Sequence, residues 1–340
     1  MAAVIELQEF HTSGGASVYQ IPMDAFPGLR TFAYLVLHHD LCVLIDTGSG
    51  YGESNEQLVR GIQSIKKPKS RKPLSLDDLT HVLITHGHID HFGGLLEVTA
   101  HSDASVGVHE LDRNIITNYE EKRGYILHKL EHYLIEAGVE TKRQEYILSL
   151  HNLMRGLFRS IPVDFVYRDI NMQLDDFEFL HVPGHCAGHV VIRLHDLLFC
   201  GDHILTNITP HQSPEELAHW TGLGHYLESL DRLEVWASDI NLALCGHNKT
   251  IKDLPSRISE IKEMHKERLE KALKFFESPN TINSLSEYLF RSTDGYDALL
   301  AIEEAGAHVE YLYQRGMLVL ENSEQMEDTF ESIPLYYKRQ

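Results

Sequence analysis

The sequence predicts a mixed α/β (α+β) protein built as an αβ/βα sandwich, in which two β-sheets pack face to face and helices cover their outer faces. Short runs rich in β-branched and aromatic residues recur within residues 18–109 and again within 163–244, and a helical stretch at about 112–160 separates the two regions. Beyond the second half the pattern becomes helical. We therefore predict a sandwich domain over residues 1–250 with a helical insertion, and a small helical domain over residues 251–340.

The first half of the sandwich begins with short β-rich runs separated by turns. These runs, at 18–21, 30–37 and 42–45, have the spacing that is typical of an antiparallel meander. A helical pattern of apolar residues over 53–65 follows, and it ends before Pro68. This part of the chain therefore predicts three strands and a helix.

The loop at residues 85–91 reads Thr-His-Gly-His-Ile-Asp-His and follows the apolar run 82–84. Four of its side chains are of the types that bind zinc and related divalent ions: His86, His88, Asp90 and His91. They are spaced too tightly to form one charged face of a helix. Because a buried strand would deliver them to a sheet edge, we predict a metal-binding loop.

Residues 112–138 and 141–158 predict the two helices of the insertion. The second helix carries an apolar stripe made of Tyr146, Ile147, Leu150, Leu153, Met154, Leu157 and Phe158. Such a stripe docks a helix onto its own domain, and it can also line a pocket for an acyl or aromatic part of a substrate. The sequence leaves both roles open.

After the insertion, the second sheet is predicted from the β-rich runs 163–167, 177–182, 190–194, 197–200 and 242–244. Three helical patterns and a short strand at 317–320 then complete the chain. The two strand-rich halves supply the two sheets of the sandwich, and the last part supplies the small C-terminal domain.

The composition excludes several classes of protein. A formal net charge of -20 repels phosphate backbones and anionic membrane surfaces, so we expect neither nucleic-acid nor membrane binding. The first residues lack a basic segment followed by an apolar one, and about 18 apolar residues never run together. We therefore expect a cytoplasmic protein.

Four cysteines lack the spacing of a disulfide framework, so we predict reduced thiols at Cys42, Cys186, Cys200 and Cys245. Three of them adjoin candidate metal-binding residues, and a thiolate ligand is one interpretation. We favour the other, that they are small apolar side chains packed beside the site.

Further polar motifs follow the metal loop along the chain. They are Pro-Gly-His-Cys-Ala-Gly-His at 183–189, Phe-Cys-Gly-Asp-His at 199–203 and Cys-Gly-His at 245–247, with Leu-Ile-Asp-Thr-Gly at 44–48 upstream. Together with the loop at 85–91, they resemble the motifs of the metallo-β-lactamase fold superfamily of hydrolases. The resemblance covers about residues 30–250 and implies the sandwich fold and a metal centre.

The resemblance implies a centre with two divalent metal ions. It assigns one ion to His86, His88 and His185, the second to Asp90, His91 and His247, and a bridging role to Asp202. It also implies a catalytic role for Asp90 and an orienting role for Asp46 behind the metal loop. We expect His189 to lie outside the ligand set, because the next strand has begun four residues after His185. Zinc is the expected metal, and iron and manganese are alternatives for these ligands.

The metal-binding motifs of this sequence resemble those of glyoxalase II and related acyl hydrolases. They imply a metal-bridging hydroxide that attacks a carbonyl ester-type bond of a small-molecule substrate, with thioesters and lactones favoured. Asp202 stands where β-lactamases typically carry cysteine, which argues against antibiotic hydrolysis. The alternatives are a phosphodiesterase or ribonuclease-like hydrolase, an iron-dependent enzyme of the persulfide dioxygenase type, and a non-enzymatic partner-binding protein.

The C-terminal helices and strand resemble a small winged-helix-like appendage found in one branch of the superfamily. Residues 251–340 carry more acidic than basic side chains, so we expect this segment to pack on the core or to support a homodimer rather than to bind nucleic acid. In the polar loop at 204–220, His211 is a candidate substrate-binding residue.

Overall fold

The computed structural model of this chain describes residues 7–155, 158–291, 294–327 and 331–340. The predictions made for residues 1–6 and for Leu157 lie outside these ranges. Within the described ranges, the strands form two large sheets and one two-stranded sheet.

The first sheet joins seven strands in sequence order: β1 (Gln8–His11), β2 (Ser17–Phe26), β3 (Leu29–His38), β4 (Leu41–Ile45), β5 (His81–Leu83), β6 (Ser105–Val108) and β7 (Phe165–Val166). Strands β1 to β4 pair antiparallel, and β4 to β7 continue the sheet in parallel. In β3, Ala33 and Leu35 belong to one apolar cluster, while Tyr34 and Val36 belong to another. This alternation allows both faces of the sheet to be covered.

The second sheet contains β8 (Gln173–Leu174), β9 (Phe177–His181), β10 (Val190–Leu194), β11 (Leu197–Gly201) and β12 (Leu242–Cys245). Their spatial order is β12-β11-β10-β9-β8, and the pairs are antiparallel except for β11 with β12. Because β11 and β12 are parallel, their carboxyl ends lie at the same edge of the sheet.

The two sheets pack face to face. Their shared apolar cluster combines Val36 and Val43 of the first sheet with Phe179, Ile192 and Phe199 of the second. Helices α1 (Ser54–Ser64) and α3 (Leu95–Ala100) cover the outer face of the first sheet, and α7 (Leu223–Trp236) and α8 (Leu254–Phe275) cover that of the second. The predicted αβ/βα sandwich is confirmed.

The insertion begins differently from the prediction. The stretch predicted as one helix over 112–138 forms two, α4 (Glu110–Thr117) and α5 (Tyr119–Glu136). The chain leaves helical geometry at Asn118, where φ is -127° and ψ is 42°. There the backbone N–H of Tyr119 donates to Ser160 Oγ at 2.9 Å, which replaces a bond within the helix.

The second helix of the insertion is α6 (Thr141–Arg155). Two residues of its predicted apolar stripe, Ile147 and Phe158, are buried, but Tyr146 and Leu153 are exposed. The periodic pattern therefore overstates how much of the helix surface is covered.

Helices α5 and α6 pack against the C-terminal part of the chain, which contains α9 (Ile282–Phe290), α10 (Gly295–Gln314), β13 (Leu318–Leu320), α11 (Ser323–Glu327) and β14 (Tyr337–Arg339). Leu130, Leu134 and Ile147 share an apolar cluster with Ile302 and Val309. Docking is thus one role of the insertion, and the winged-helix assignment stays a prediction. None of the helices in the described ranges combines the length and apolar character that a membrane span needs.

Candidate metal centre

The predicted ligands lie where strands of both sheets end. Strand β5 leads into a loop and the short helix α2 (Ile89–Phe92), and this segment carries His86, His88, Asp90 and His91. In the second sheet, His185 lies between β9 and β10, Asp202 directly follows β11, and His247 follows β12. The site is therefore assembled from both halves of the sandwich.

The two glycines after α2 allow the metal loop to pack closely against the chain that follows β4. A Cβ atom on Gly93 would lie 2.1 Å from Ser49 O, and one on Gly94 would lie 2.2 Å from Thr47 O. In the same contact, the backbone N–H of Thr47 donates to His91 O at 2.7 Å. Any side chain at these glycines would therefore push the metal loop away from its support.

His86, His88 and His185 form the first group of candidate ligands, and one nitrogen of each lies within 4.8 Å of the others. His86 Nε2 and His88 Nδ1 are 3.1 Å apart. Burial holds the pKa of both His86 and His88 well below the ordinary value of histidine. These rings are therefore neutral, which is the form of imidazole that binds metal.

Asp90, His91, Asp202 and His247 form the second group. His247 Nε2 lies 3.2 Å from Asp90 Oδ2 and 3.2 Å from Asp202 Oδ2. Burial alone would lower the pKa of His247, but these two carboxylates outweigh it and raise that pKa to about 10. Burial likewise opposes the charge on Asp90, yet His91 and His247 lower its pKa to about 2. The Asp90 and Asp202 carboxylates therefore stabilise a positive charge in this group.

Asp202 lies between the two groups. Its Oδ1 is 3.3 Å from His91 Nε2 in the second group, and its Oδ2 is 3.9 Å from His185 Nε2 in the first. The carboxylate is also buried. One side chain therefore lies within reach of both ligand groups, as a ligand that bridges two ions would have to.

Unpartnered buried atoms show that these residues fit metal ions. His91 Nε2, His185 Nε2 and Asp202 Oδ1 are all buried without a hydrogen-bond partner among the residues that the structure describes, although such atoms normally have one. All three belong to side chains of the two ligand groups. Imidazole and carboxylate ligands of this kind suit zinc, and they also suit iron and manganese.

Hydrogen bonds at Nδ1, on the side of the ring away from the centre, orient three of the candidate histidine ligands. The acceptors of their Nδ1–H groups are Asp46 Oδ2 for His91 (2.8 Å), His211 O for His185 (2.6 Å) and Arg30 O for His247 (2.6 Å). Donation from Nδ1 leaves the Nε2 lone pair directed at the centre. The predicted orienting role of Asp46 is confirmed by this contact.

A sequence model of the metallo-beta-lactamase superfamily matches residues 27–247, which contain both groups of candidate ligands. The chain belongs to this superfamily. The match confirms the resemblance found in the sequence, and with it the prediction that the protein is an enzyme of the metal-dependent hydrolase class.

Relatives in the superfamily carry hydrolase names. "Probable metallo-hydrolase YqjP" of Bacillus subtilis is 25% identical over 317 residues, which are 88% of this chain and 90% of the relative. A hydroxyacylglutathione hydrolase of Shewanella baltica (strain OS185) is 28% identical over 183 residues. That match covers 52% of this chain and 50% of the Shewanella enzyme, so it relates half of each protein.

Solved structures of the superfamily share the fold along nearly the whole chain. A metallo-beta-lactamase family protein from Thermus thermophilus is 23% identical with a TM-score of 0.72, and the match covers 95% of this chain and 98% of that one. A beta-lactamase domain protein from Burkholderia ambifaria is 17% identical with a TM-score of 0.73, covering 98% and 94%. At these identities the similarity demonstrates the fold.

Asp112 supports both metal loops of the superfamily site, and no motif in the sequence indicates this role. Its Oδ2 accepts the backbone N–H of Gly87 at 2.7 Å, and its Oδ1 accepts that of Gly188 at 2.8 Å. The side chain is fully buried, and burial raises its pKa to about 6. One carboxylate from the insertion thus fixes the segments that carry His86, His88 and His185.

His211 contacts the site through its backbone carbonyl and not through its ring. Its carbonyl holds His185, while its ring Nε2 contacts Glu303 Oε2 at 2.9 Å and its Nδ1 lies 3.7 Å from Glu304 Oε2. Both ring nitrogens therefore face α10, and a substrate contact by this ring stays a prediction. His189 lies outside both ligand groups and accepts the backbone N–H of Asp202 at 3.1 Å.

All four cysteines are buried and free, and neither ligand group contains one. Cys186 Sγ donates to Asp112 Oδ2 at 3.3 Å, which places it beside the loop support. These positions agree with the interpretation that the cysteines pack beside the site.

Proposed function

We propose that this superfamily member is a dinuclear metal-dependent hydrolase that cleaves a carbonyl ester-type bond, with thioesters and lactones as favoured substrates. The observation that carries the proposal is the buried carboxylate of Asp202 within reach of both ligand groups. Similarity to a hydroxyacylglutathione hydrolase supports the substrate class, because that name specifies an acyl derivative of a thiol. Zinc is the proposed metal.

The residues of the two groups would hold two divalent ions, which when bound would supply Lewis acidity and lower the pKa of a bound water toward neutrality. The proposal assigns His86, His88 and His185 to one ion, Asp90, His91 and His247 to the other, and Asp202 to both. The negative charge of the Asp202 carboxylate would offset the repulsion between two such cations.

Asp90 is the proposed catalytic residue of the second group. Its side chain is half-buried, whereas His91 is fully buried. The Asp90 side chain is 15% exposed, more than the other members of this group, and His247 Nε2 at 3.2 Å holds it in place, so this carboxylate would position the second ion and its bound water towards the substrate. Asp46 in turn keeps the His91 ring in its orientation.

A cytoplasmic location and a small-molecule substrate also belong to the proposal. Four buried, free cysteines are typical of a protein from a reducing compartment. Dimerisation through the C-terminal segment is proposed as an alternative to its packing on the core alone.

The proposal is tested by a hydrolysis screen with zinc-loaded and metal-stripped protein. The substrates are acyl thioesters, lactones and an activated phosphodiester. We expect zinc-dependent turnover of the carbonyl substrates only. Turnover of the phosphodiester alone would replace the proposed class by the phosphodiesterase alternative.

A matched pair of histidine variants makes this screen specific. His88→Ala removes a candidate ligand and is expected to abolish both turnover and zinc at the first site. His101→Ala removes an exposed histidine directly after α3 and should change neither. Retained turnover in a His88→Ala protein that lacks this zinc would contradict the proposed role of the first site.

A further inference from the structure

The loop that follows Asp202 is held by the C-terminal helices at several points. Arg257 of α8 donates to Leu205 O through Nε and to Ile208 O through a terminal nitrogen, each at 2.7 Å. Arg268, also of α8, donates to Thr209 Oγ1 at 2.8 Å. Charged side chains of the C-terminal segment thus fix the loop that approaches the metal centre.

The peptide group between His211 and Gln212 connects this segment to a candidate metal ligand. Its carbonyl oxygen accepts the Nδ1–H of His185 at 2.6 Å. Its N–H donates to Glu304 Oε2 on α10 at 2.7 Å. Because the C=O and N–H of one planar trans peptide point in opposite directions, a continuous chain of hydrogen bonds runs from Glu304 to His185.

Glu304 is suited to this position because it is charged and fixed. Its other oxygen, Oε1, pairs with Arg268 at 3.0 Å, and the residue is only 6% exposed. The ion pair with Arg268 therefore leaves Oε2 available to accept from the peptide. Neighbouring Glu303 instead binds the His211 ring and the Ser213 hydroxyl, so it holds the loop without touching this peptide.

We infer that Glu304 is a positioning residue for His185, acting through the His211–Gln212 peptide. A carboxylate on the peptide N–H polarises the peptide and makes its carbonyl oxygen a stronger acceptor. The stronger acceptor fixes the Nδ1–H tautomer of His185 and makes Nε2 a better ligand. That Nε2 is buried and has no hydrogen-bond partner within the described part of the chain.

This inference rests on the metal centre of the proposed function and not on its substrate. It makes the C-terminal helices part of the metal site, because Glu304, which positions His185, lies outside the matched superfamily region. That region ends at residue 247. Carboxylates that orient a metal-bound histidine usually contact the ring itself, whereas here one peptide group stands between them.

The test measures zinc affinity without substrate, by competition with a chromogenic chelator. In Glu304→Gln the single amide oxygen cannot accept from both Arg268 and the peptide. We expect one of the two zinc sites to weaken by about 10- to 100-fold. The matched control Glu303→Gln should keep both sites near wild-type affinity. Because no turnover is measured, failure of the proposed hydrolase activity would not affect this result.

A spectroscopic signature separates positioning from general destabilisation. In zinc-loaded protein with ¹⁵N-labelled histidine, the Nδ1–H resonance of His185 should move upfield in Glu304→Gln and stay in place in Glu303→Gln. If Glu304→Gln does not fold, Glu304→Asp keeps the charge but withdraws the acceptor from the peptide, and the same changes are expected. Wild-type zinc affinity and an unmoved resonance in either folded variant would overturn the inference.

Discussion

Asp112 carries one carboxylate into the space between the two metal loops, where it accepts backbone N–H groups from both. In the sequence, an aspartate at the start of a predicted helix looks like an ordinary acidic residue of a first helical turn. Its burial and its partners depend on how the insertion is placed against the sheets. The candidate metal ligands, in contrast, are grouped in local motifs that the sequence reveals directly.

Replacing Asp112 tests this support. Asp112→Asn substitutes an NH2 group for one acceptor oxygen, and this group would face a backbone N–H of Gly87 or Gly188. Because a buried donor is then left unpaired, we expect the free energy of unfolding to fall by about 1–3 kcal/mol. Denaturant unfolding of metal-free protein measures it, with the exposed Asp103→Asn as the control. Equal stability of the two variants would contradict the role of Asp112.

Cys245 tests whether a thiol beside the site takes part in metal binding. Its side chain is buried, and it lies outside both ligand groups. The backbone carbonyl of Cys245, which accepts from Tyr34 Oη at 2.5 Å, is kept in any variant. We therefore expect Cys245→Ala to retain the wild-type metal content, as measured by elemental analysis. Loss of metal would contradict the interpretation that Cys245 is only a small apolar side chain packed beside the site.

At the scale of elements, the apolar pattern of the sequence predicts which segments form helices and strands. It does not predict where a helix is interrupted. The division of the insertion at Asn118 depends on Ser160, which is distant in sequence and accepts the N–H of Tyr119. The exposed Tyr146 and Leu153 show the same limit, since a helical pattern identifies an apolar face but not the partner that covers it. Long-range packing decides both features.

The contact between α5 and α10 offers a test of that packing. Gly306 of α10 lies against Tyr133, and a Cβ atom there would be 1.9 Å from the Tyr133 hydroxyl oxygen. Although alanine favours helix, we expect Gly306→Ala to lower the free energy of unfolding by about 1–3 kcal/mol because the core is overpacked.

A second variant identifies the cause. Tyr133→Phe loses a hydrogen bond to Ile302 O but removes the clashing atom. Combined with Gly306→Ala, it should therefore recover part of the lost stability in denaturant unfolding. Strictly additive losses in the double variant would exclude the clash.

At the scale of the molecule, the sandwich and its metal loops follow from the sequence because the strands are short runs of β-branched, aromatic and other apolar residues and each ligand motif is short. The supports of the site do not follow from it. Asp112 comes from the insertion, and Glu304 comes from a helix that follows the sandwich. Their contribution depends on the tertiary arrangement of three separate parts of the chain, which no local pattern records.

Because the ligands come from both sheets, metal binding and folding of the sandwich are coupled. An ion held by the first group would join His86 and His88, which follow strand β5 of the first sheet, to His185, which lies between β9 and β10 of the second. Only the folded chain brings these residues together, so bound metal stabilises the folded state. Chelation should therefore lower the free energy of unfolding by about 2.7 kcal/mol for each site when free zinc is about 100 times the dissociation constant.

Denaturant unfolding of zinc-loaded and chelator-treated protein measures this difference. The His101→Ala control should lose as much stability on chelation as the wild type, because its metal groups are intact. His88→Ala should lose less, since one of its sites is already incomplete. If the unfolding midpoint of the wild type were the same with and without zinc, the ions could not link the two sheets, and the dinuclear centre would have to be abandoned.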